Sequence, residues 1–209
     1  MGDCVVAFWR APVETPDHAS LAVKTSLEMV LAVRQLSEEH RGKGLPEIGI
    51  GIGLNTGSMC VGDMGSDIRR SYTVIGDAVN LGSRLEGLSK TYGVDTVVSE
   101  STRRVSTDFA WQELDKVRVK GKDQAVAIFC PVAALGQRGK ERGAELKEWG
   151  LALKAYRDQA WDARDVHLLD LQCMSAQKYL YRLYAERVGS EGLLPFDPEW
   201  DGATNFETT

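Results

Sequence analysis

The stretch from Tyr72 to Glu86, Tyr-Thr-Val-Ile-Gly-Asp-Ala-Val-Asn-Leu-Gly-Ser-Arg-Leu-Glu, leaves its backbone few choices. Tyr72 to Ile75 has the aromatic and β-branched composition of a strand. Gly76-Asp77 breaks that run, and Leu81, Leu85, Leu88 and Tyr92 then recur at helical spacing. The pattern predicts a strand that turns a glycine corner straight into a helix, with Asp77 as the N-cap. Asn80 and Arg84 lie four residues apart beside the apolar stripe, so they are neighbours on the helix surface. An amide and a permanent cation near a helix N-terminus suit a sugar oxygen and a phosphate. The same pair also describes an ordinary solvated helix face.

The segments on either side add strands and one long helix. From Glu47 to Thr56, Ile48, Ile50, Ile52 and Leu54 alternate with Gly49, Gly51 and Gly53. One face of that strand is apolar, and the bare face admits a helix, a ligand or another subunit's backbone. Cys4 to Trp9 has the composition of a buried strand, the second arm of a hairpin, with Asp3 at its turn or pointing out of its tip. Thr15-Pro16 opens a core helix carrying Ala19, Ala22, Val23, Met29, Val30, Val33 and Leu36, and Gly42, Gly44 and Pro46 stop it. Met59 to Gly62 reads as a returning strand and Asp63 to Asp67 as a turn.

Beyond the central helix, Val94 to Val98 is a strand, Ser99 caps a short helix, and Phe109 to Lys120 is a long strand. Lys120-Gly121-Lys122-Asp123 is a hairpin turn into the apolar strand Ala125 to Cys130. A first domain therefore covers 1–134, and a charged, glycine-rich linker covers 135–145. Residues 146–188 carry Trp149, Leu153, Tyr156, Trp161, Leu168 and Leu171 at helical intervals, a pattern loosely resembling one tetratricopeptide-type pair. Such a unit cannot bury its own face and must lean on the first domain or a partner. Residues 189–209 read as an irregular tail anchored by Trp200.

A net charge of −5 without a basic stripe argues against nucleic acid as a partner. Cys4, Cys60, Cys130 and Cys173 are scattered, as reduced thiols in a cytosolic protein would be, and His18, His40 and His167 form no ligand cluster. No apolar run reaches the roughly 18 residues of a membrane span.

Three segments in order carry a family resemblance: Gly2-Asp3-Cys4-Val5-Val6-Ala7-Phe8-Trp9, the Tyr72 to Arg84 stretch, and Val119-Lys120-Gly121-Lys122. Together they resemble the class III nucleotide cyclase catalytic domain. Asn55-Thr56-Gly57 and Val61-Gly62-Asp63-Met64-Gly65 are similar to the same family. Pro198-Glu199-Trp200-Asp201-Gly202 resembles the helical extension of bacterial adenylate cyclases.

The resemblance implies an α+β, ferredoxin-like cyclase fold, truncated at its N-terminus and followed by a small helical extension. It implies a head-to-tail homodimer with sites at the interface, and conversion of ATP to 3′,5′-cyclic AMP and pyrophosphate. By the same resemblance Asp3 is a metal carboxylate, Thr73 reads the adenine edge, Asn80 orients the ribose, and Arg84 steadies charge at the α-phosphate. Lys120 holds the terminal phosphates, with Lys122 close enough to share that role. The complete enzyme would use two Mg2+ or Mn2+ ions. Its place would be the cytoplasm, with a membrane-anchored sensor region possible upstream.

Two family features fall ahead of Met1: the Phe-x-Asp metal strand and the adenine-contacting lysine. The chain as written is therefore expected to make no cyclic AMP alone. The rival readings are a non-catalytic dimerisation or nucleotide-binding module and, with Thr73 where guanylyl enzymes carry cysteine, less readily a guanylate cyclase.

Overall fold

The computed structural model describes residues 4–66, 69–119, 124–134, 139–175, 178–191 and 196–206. It is a mixed α+β structure whose helices cover a five-stranded sheet. In chain order the elements are α1 (His18–Gly42), β1 (Ile52–Leu54), β2 (Cys60–Ser66), β3 (Arg69–Ile75) and α2 (Asp77–Tyr92). There follow β4 (Thr96–Ser99), α3 (Glu100–Val105), β5 (Phe109–Val119) and β6 (Val126–Ala134). The C-terminal part holds α4 (Lys140–Arg157), α5 (Trp161–Met174), α6 (Tyr179–Glu191) and β7 (Thr204–Phe206). The sheet order is β1-β4-β6-β5-β7, with β1/β4 and β5/β7 parallel, and β4/β6 and β6/β5 antiparallel. β2 and β3 form a separate antiparallel hairpin.

The strand–corner–helix prediction holds, with one shift at the cap. Gly76, at φ +148°, occupies the N-cap position, and Asp77 is the first helical residue. A side chain at Gly76 would be strained at that φ and would lie against Met59. Leu81, Leu85, Leu88 and Tyr92 are all buried, as their spacing requires. Ser99 caps α3 as expected, its hydroxyl accepting from the Thr102 amide.

The glycine face of β1 receives a helix. A Cβ on Gly53 would fall 2.1 Å from the Gly82 carbonyl oxygen, and one on Gly51 would collide with Glu86 and Ser89. These two glycines let α2 lie directly on the sheet.

Elsewhere the elements differ from expectation. Cys4 to Trp9 forms no strand; Val5 and Val6 are 83% and 61% exposed, because no described strand offers them a ladder. β1 is three residues long where Glu47 to Thr56 was expected, since its ladder partner β4 pairs with it only from Thr96 to Val98. α1 starts at His18 after Asp17, and the Thr15 carbonyl accepts from the His18 amide. Only its first half is core: Met29, Leu31 and Leu36 are exposed. Asp63 to Ser66 belongs to β2, paired with Arg69 to Tyr72, where a turn was expected.

At the C-terminal end α4 begins at Lys140, inside the segment expected as linker, and three helices stand where two were read. They share one core with the sheet: Trp149, Tyr156, Leu171, Tyr181 and Tyr184 pack with Leu85, Tyr92, Leu114 and Val117. β5 has a bulge at Leu114, since Glu113 faces Phe129 while Asp115 already faces Ile128. Two helical aromatics fill the gap in the ladder. Trp149 Nε1 donates to the Glu113 carbonyl, and the Tyr184 hydroxyl donates to the Leu114 carbonyl at 2.8 Å. The tail expected to be irregular holds β7, paired beside β5.

Candidate active site

Asn80 and Arg84 come together as their spacing predicts. With Ser83, Glu86, Gly87, Leu88, Thr91 and Phe206 they line an open groove of about 640 Å3. The floor is the outward face of α2, and Phe206 of β7 stands across it. Among the described residues neither the Arg84 guanidinium nor the Asn80 amide side chain has a hydrogen-bond or ion-pair partner. Glu86 lines the same groove without forming an ion pair with Arg84, which leaves the guanidinium's donors open to a ligand. The groove thus offers fixed donors to a phosphorylated ligand.

Thr73 sits on β3 opposite Gly62, half-buried and four residues before the helix. It does not line the groove with Asn80 and Arg84. Asp3, Lys120 and Lys122 lie outside the described residues; β5 ends at Val119, immediately before Lys120 in sequence. Among the described residues no group of three His, Cys, Asp or Glu side chains is placed to hold a metal ion. The described residues therefore do not by themselves fit a two-metal centre.

Two supports of the site were not legible as such. Asn55 Nδ2 donates to the Ala78 carbonyl at 2.9 Å, and Ser101 donates to Asn55 Oδ1 at 3.0 Å, which pins the first turn of α2 to α3. Its only sequence signal was membership of Asn55-Thr56-Gly57. The second support is a buried knot around Asp115, which is 1% exposed. Asp115 Oδ2 accepts from the Tyr92 hydroxyl (2.6 Å), Arg187 Nη1 (2.6 Å) and the Thr204 hydroxyl (2.8 Å). One carboxylate on β5 thus ties the end of α2 to α6 and β7. Burial first, then the Asp115 charge, pushes the Tyr92 hydroxyl well above its usual range, so it stays a donor. Burial works against the Arg187 charge, but Asp115 holds the guanidinium protonated.

A second network fixes α4 and α6 to β5. Glu145 accepts from the Tyr181 hydroxyl and from Arg142, and Lys178 donates to Glu145 and to Gln112. Burial alone would raise the Glu145 carboxyl, yet the Tyr181 and Arg142 hydrogen bonds, with the Lys178 charge, bring it down to about 2. Burial, then the nearby Arg142, lowers Lys178 to about 8.

An α+β sheet thus carries a helix, opened by a Gly-Asp corner, whose groove face presents Asn80 and Arg84 beside Glu86. Residues 1–130 match the adenylate and guanylate cyclase catalytic domain, and the chain belongs to that family, the class III nucleotide cyclases. It is 35% identical over 129 residues to adenylate cyclase 1 of Rhizobium meliloti, covering 61% of this chain and 19% of that protein. Among solved structures, the adenylyl cyclase CyaB from P. aeruginosa aligns with a TM-score of 0.55 at 29% identity, over 62% of this chain and 67% of that one. The guanylyl cyclase Cya2 aligns with a TM-score of 0.53 at 31% identity, over 63% and 66%. The chain spans 19% and 26% of the length of the curated relatives first matched. No described helix is long and apolar enough to cross a membrane.

Proposed function

We propose that this chain is the catalytic part of an adenylate cyclase, which takes ATP, as its magnesium or manganese complex, to 3′,5′-cyclic AMP and pyrophosphate. The observation that carries the reading is the groove in which Arg84 and Asn80 stand side by side, unpartnered among the described residues. In this role Asn80 orients the ribose, so that its 3′-hydroxyl is aligned for attack on the α-phosphorus. Arg84 presents planar donors to charge that grows on the α-phosphate as the bond to pyrophosphate breaks. Thr73 reads the adenine edge, Lys120 with Lys122 holds the terminal phosphates, and Asp3 is the metal carboxylate. A head-to-tail homodimer would complete each site. It is supported by the apolar side chains left bare ahead of α2, among them Val5, Val6, Leu31, Leu36 and Ile75.

Turnover by the full-length protein tests this. Arg84→Ala should lower kcat by about a hundredfold to a thousandfold with an unchanged melting temperature. A variant with full activity would remove Arg84 from the chemistry. The likeness to Cya2 favours a second reading, GTP as substrate. Thr73 supports ATP, and a clear preference for ATP over GTP in parallel assays is expected; equal turnover would defeat the adenylate assignment.

A further inference from the structure

Between α4, α3 and the strands β5 and β6 runs a cleft of about 340 Å3, within the size range of small-molecule pockets. No residue that lines it also lines the groove of Asn80 and Arg84. Helical spacing sets the face that α4 turns to the cleft: Leu146, Trp149, Leu153 and Arg157 follow at intervals of three and four. Gly150 lies on that face, four residues from both Leu146 and Lys154, and brings no side chain to it. Glycine inside a helix is destabilising. Packing does not demand it here, since a Cβ at Gly150 would meet no atom within 4 Å. What the glycine does is leave the cleft its width.

The walls are of two kinds. Trp111, Phe129 and Leu153 supply flat apolar surface, Phe129 and Leu153 buried and Trp111 half-buried. Arg103, Lys154 and Arg157 supply positive charge. Arg157 Nη2 donates to Glu113 Oε1 at 2.6 Å, yet its Nε is buried without a hydrogen-bond partner among the described residues. The turn at Gly202 holds the Arg157 stem, for a Cβ there would lie 2.8 Å from Arg157 Cγ. Arg103 lies over the Phe129 ring, its Cζ 4.6 Å from the centroid. Neither Arg103 nor Lys154 forms an ion pair among the described residues. Glu113 is taken by Arg157, and Asp158 is the other acid on the wall, so the cleft carries one net positive charge.

We propose that this cleft is a binding site for a small aromatic carboxylate. The ring lies between Trp111, Phe129 and Leu153, where aromatic walls reward a flat apolar body. The carboxylate turns to Arg103, Lys154 and the open N–H of Arg157. A guanidinium stacked on a ring keeps its N–H edge for an anion, which is the geometry that Arg103 offers. One negative charge on the ligand matches the one net positive charge of the walls. Because the cleft shares no residue with the groove, this site stands or falls separately from the cyclase reading.

The test is calorimetric titration of residues 1–209 with naphthoate and with the neutral naphthylmethanol, melting temperatures being taken in parallel. Naphthoate should bind at a single saturable site, and naphthylmethanol about fivefold or more weaker. Gly150→Leu fills the cleft and should weaken naphthoate by at least about tenfold. Its melting temperature should stay level or rise, because leucine favours the helix and enters open space. Arg103→Gln and Lys154→Gln change exposed side chains, so the fold should tolerate both. Each should weaken naphthoate by about threefold and leave naphthylmethanol unchanged. Wild-type protein that does not bind naphthoate would overturn the inference. So would binding that survives Gly150→Leu, which would put the ligand elsewhere. Equal affinity for the two probes, or no response to either glutamine variant, would also overturn it, since the cleft would then not select an anion.

Discussion

α1 and α2 carry similar apolar stripes and meet different fates. In α2, Leu81, Leu85, Leu88 and Tyr92 are between 0% and 7% exposed. In α1, Met29 and Leu36 are 38% and 44% exposed, although the same spacing placed them in a core. Periodicity says that a helix has a face to bury; it does not say what covers that face. α2 lies between the glycines of β1 on one side and β5 with α6 on the other. Among the described residues α1 packs chiefly against α3 and the short β1. The groove is thus built on a closely packed helix, while α1, ahead of it, leaves apolar side chains bare.

The comparison breaks most visibly at Asp115. Asp115→Asn removes the buried carboxylate that faces Arg187 and should cost about 3–5 kcal/mol in chemical denaturation. Leu85→Ala should cost about 2–5 kcal/mol, because the site is fully enclosed. A loss below about 1 kcal/mol at either position would mean that α2 is not the packed centre described.

Acid sharpens the same contrast. The folded Glu145 carboxyl titrates at about 2 and the ordinary one at 4.5, so the unfolded chain binds more protons between those values. Its contribution, on the order of 3 kcal/mol, is fully present above pH 4.5 and is lost as pH falls toward 2. Glu145→Gln should flatten that part of the stability–pH curve; an unchanged curve would contradict the assignment. Lys178 runs the other way. Its folded value of about 8 lies below the usual 10.5, so stability should rise as pH climbs through that window. The smallest effect belongs to α1. Leu36→Ser should change stability by no more than about 0.5 kcal/mol in the isolated chain. A much larger loss would show that this face is covered after all.

Legibility followed the range of the interactions. The Gly76 corner, the stripe of α2, the Ser99 cap and the Asn80–Arg84 pair are local, and each could be read from a dozen residues. The glycines of β1 showed that something comes close, and only the packed structure named α2 as the visitor. What escaped notice joins distant parts of the chain. Asp115 meets Arg187 and Thr204 across separations of 72 and 89 residues. A buried carboxylate in the middle of a strand gives no local sign of its partners. The bulge at Leu114 also hid the inward face of β5, because it shifts the alternation on which a strand is read. β7 was missed for a related reason. Three residues make a strand only because β5 is there to pair with them.

The central claim is that Arg84 acts in a site shared between two copies of the chain. Mixing two inactive full-length variants, Arg84→Ala and Asp3→Ala, tests it most directly. If each site takes Arg84 from one subunit and Asp3 from the other, the mixed dimer keeps one intact site, and cyclic AMP formation should return to a fraction of the wild-type rate. If the mixture stays as inactive as either variant alone while the subunits demonstrably exchange, the two residues do not meet across an interface, and the shared-site account is wrong.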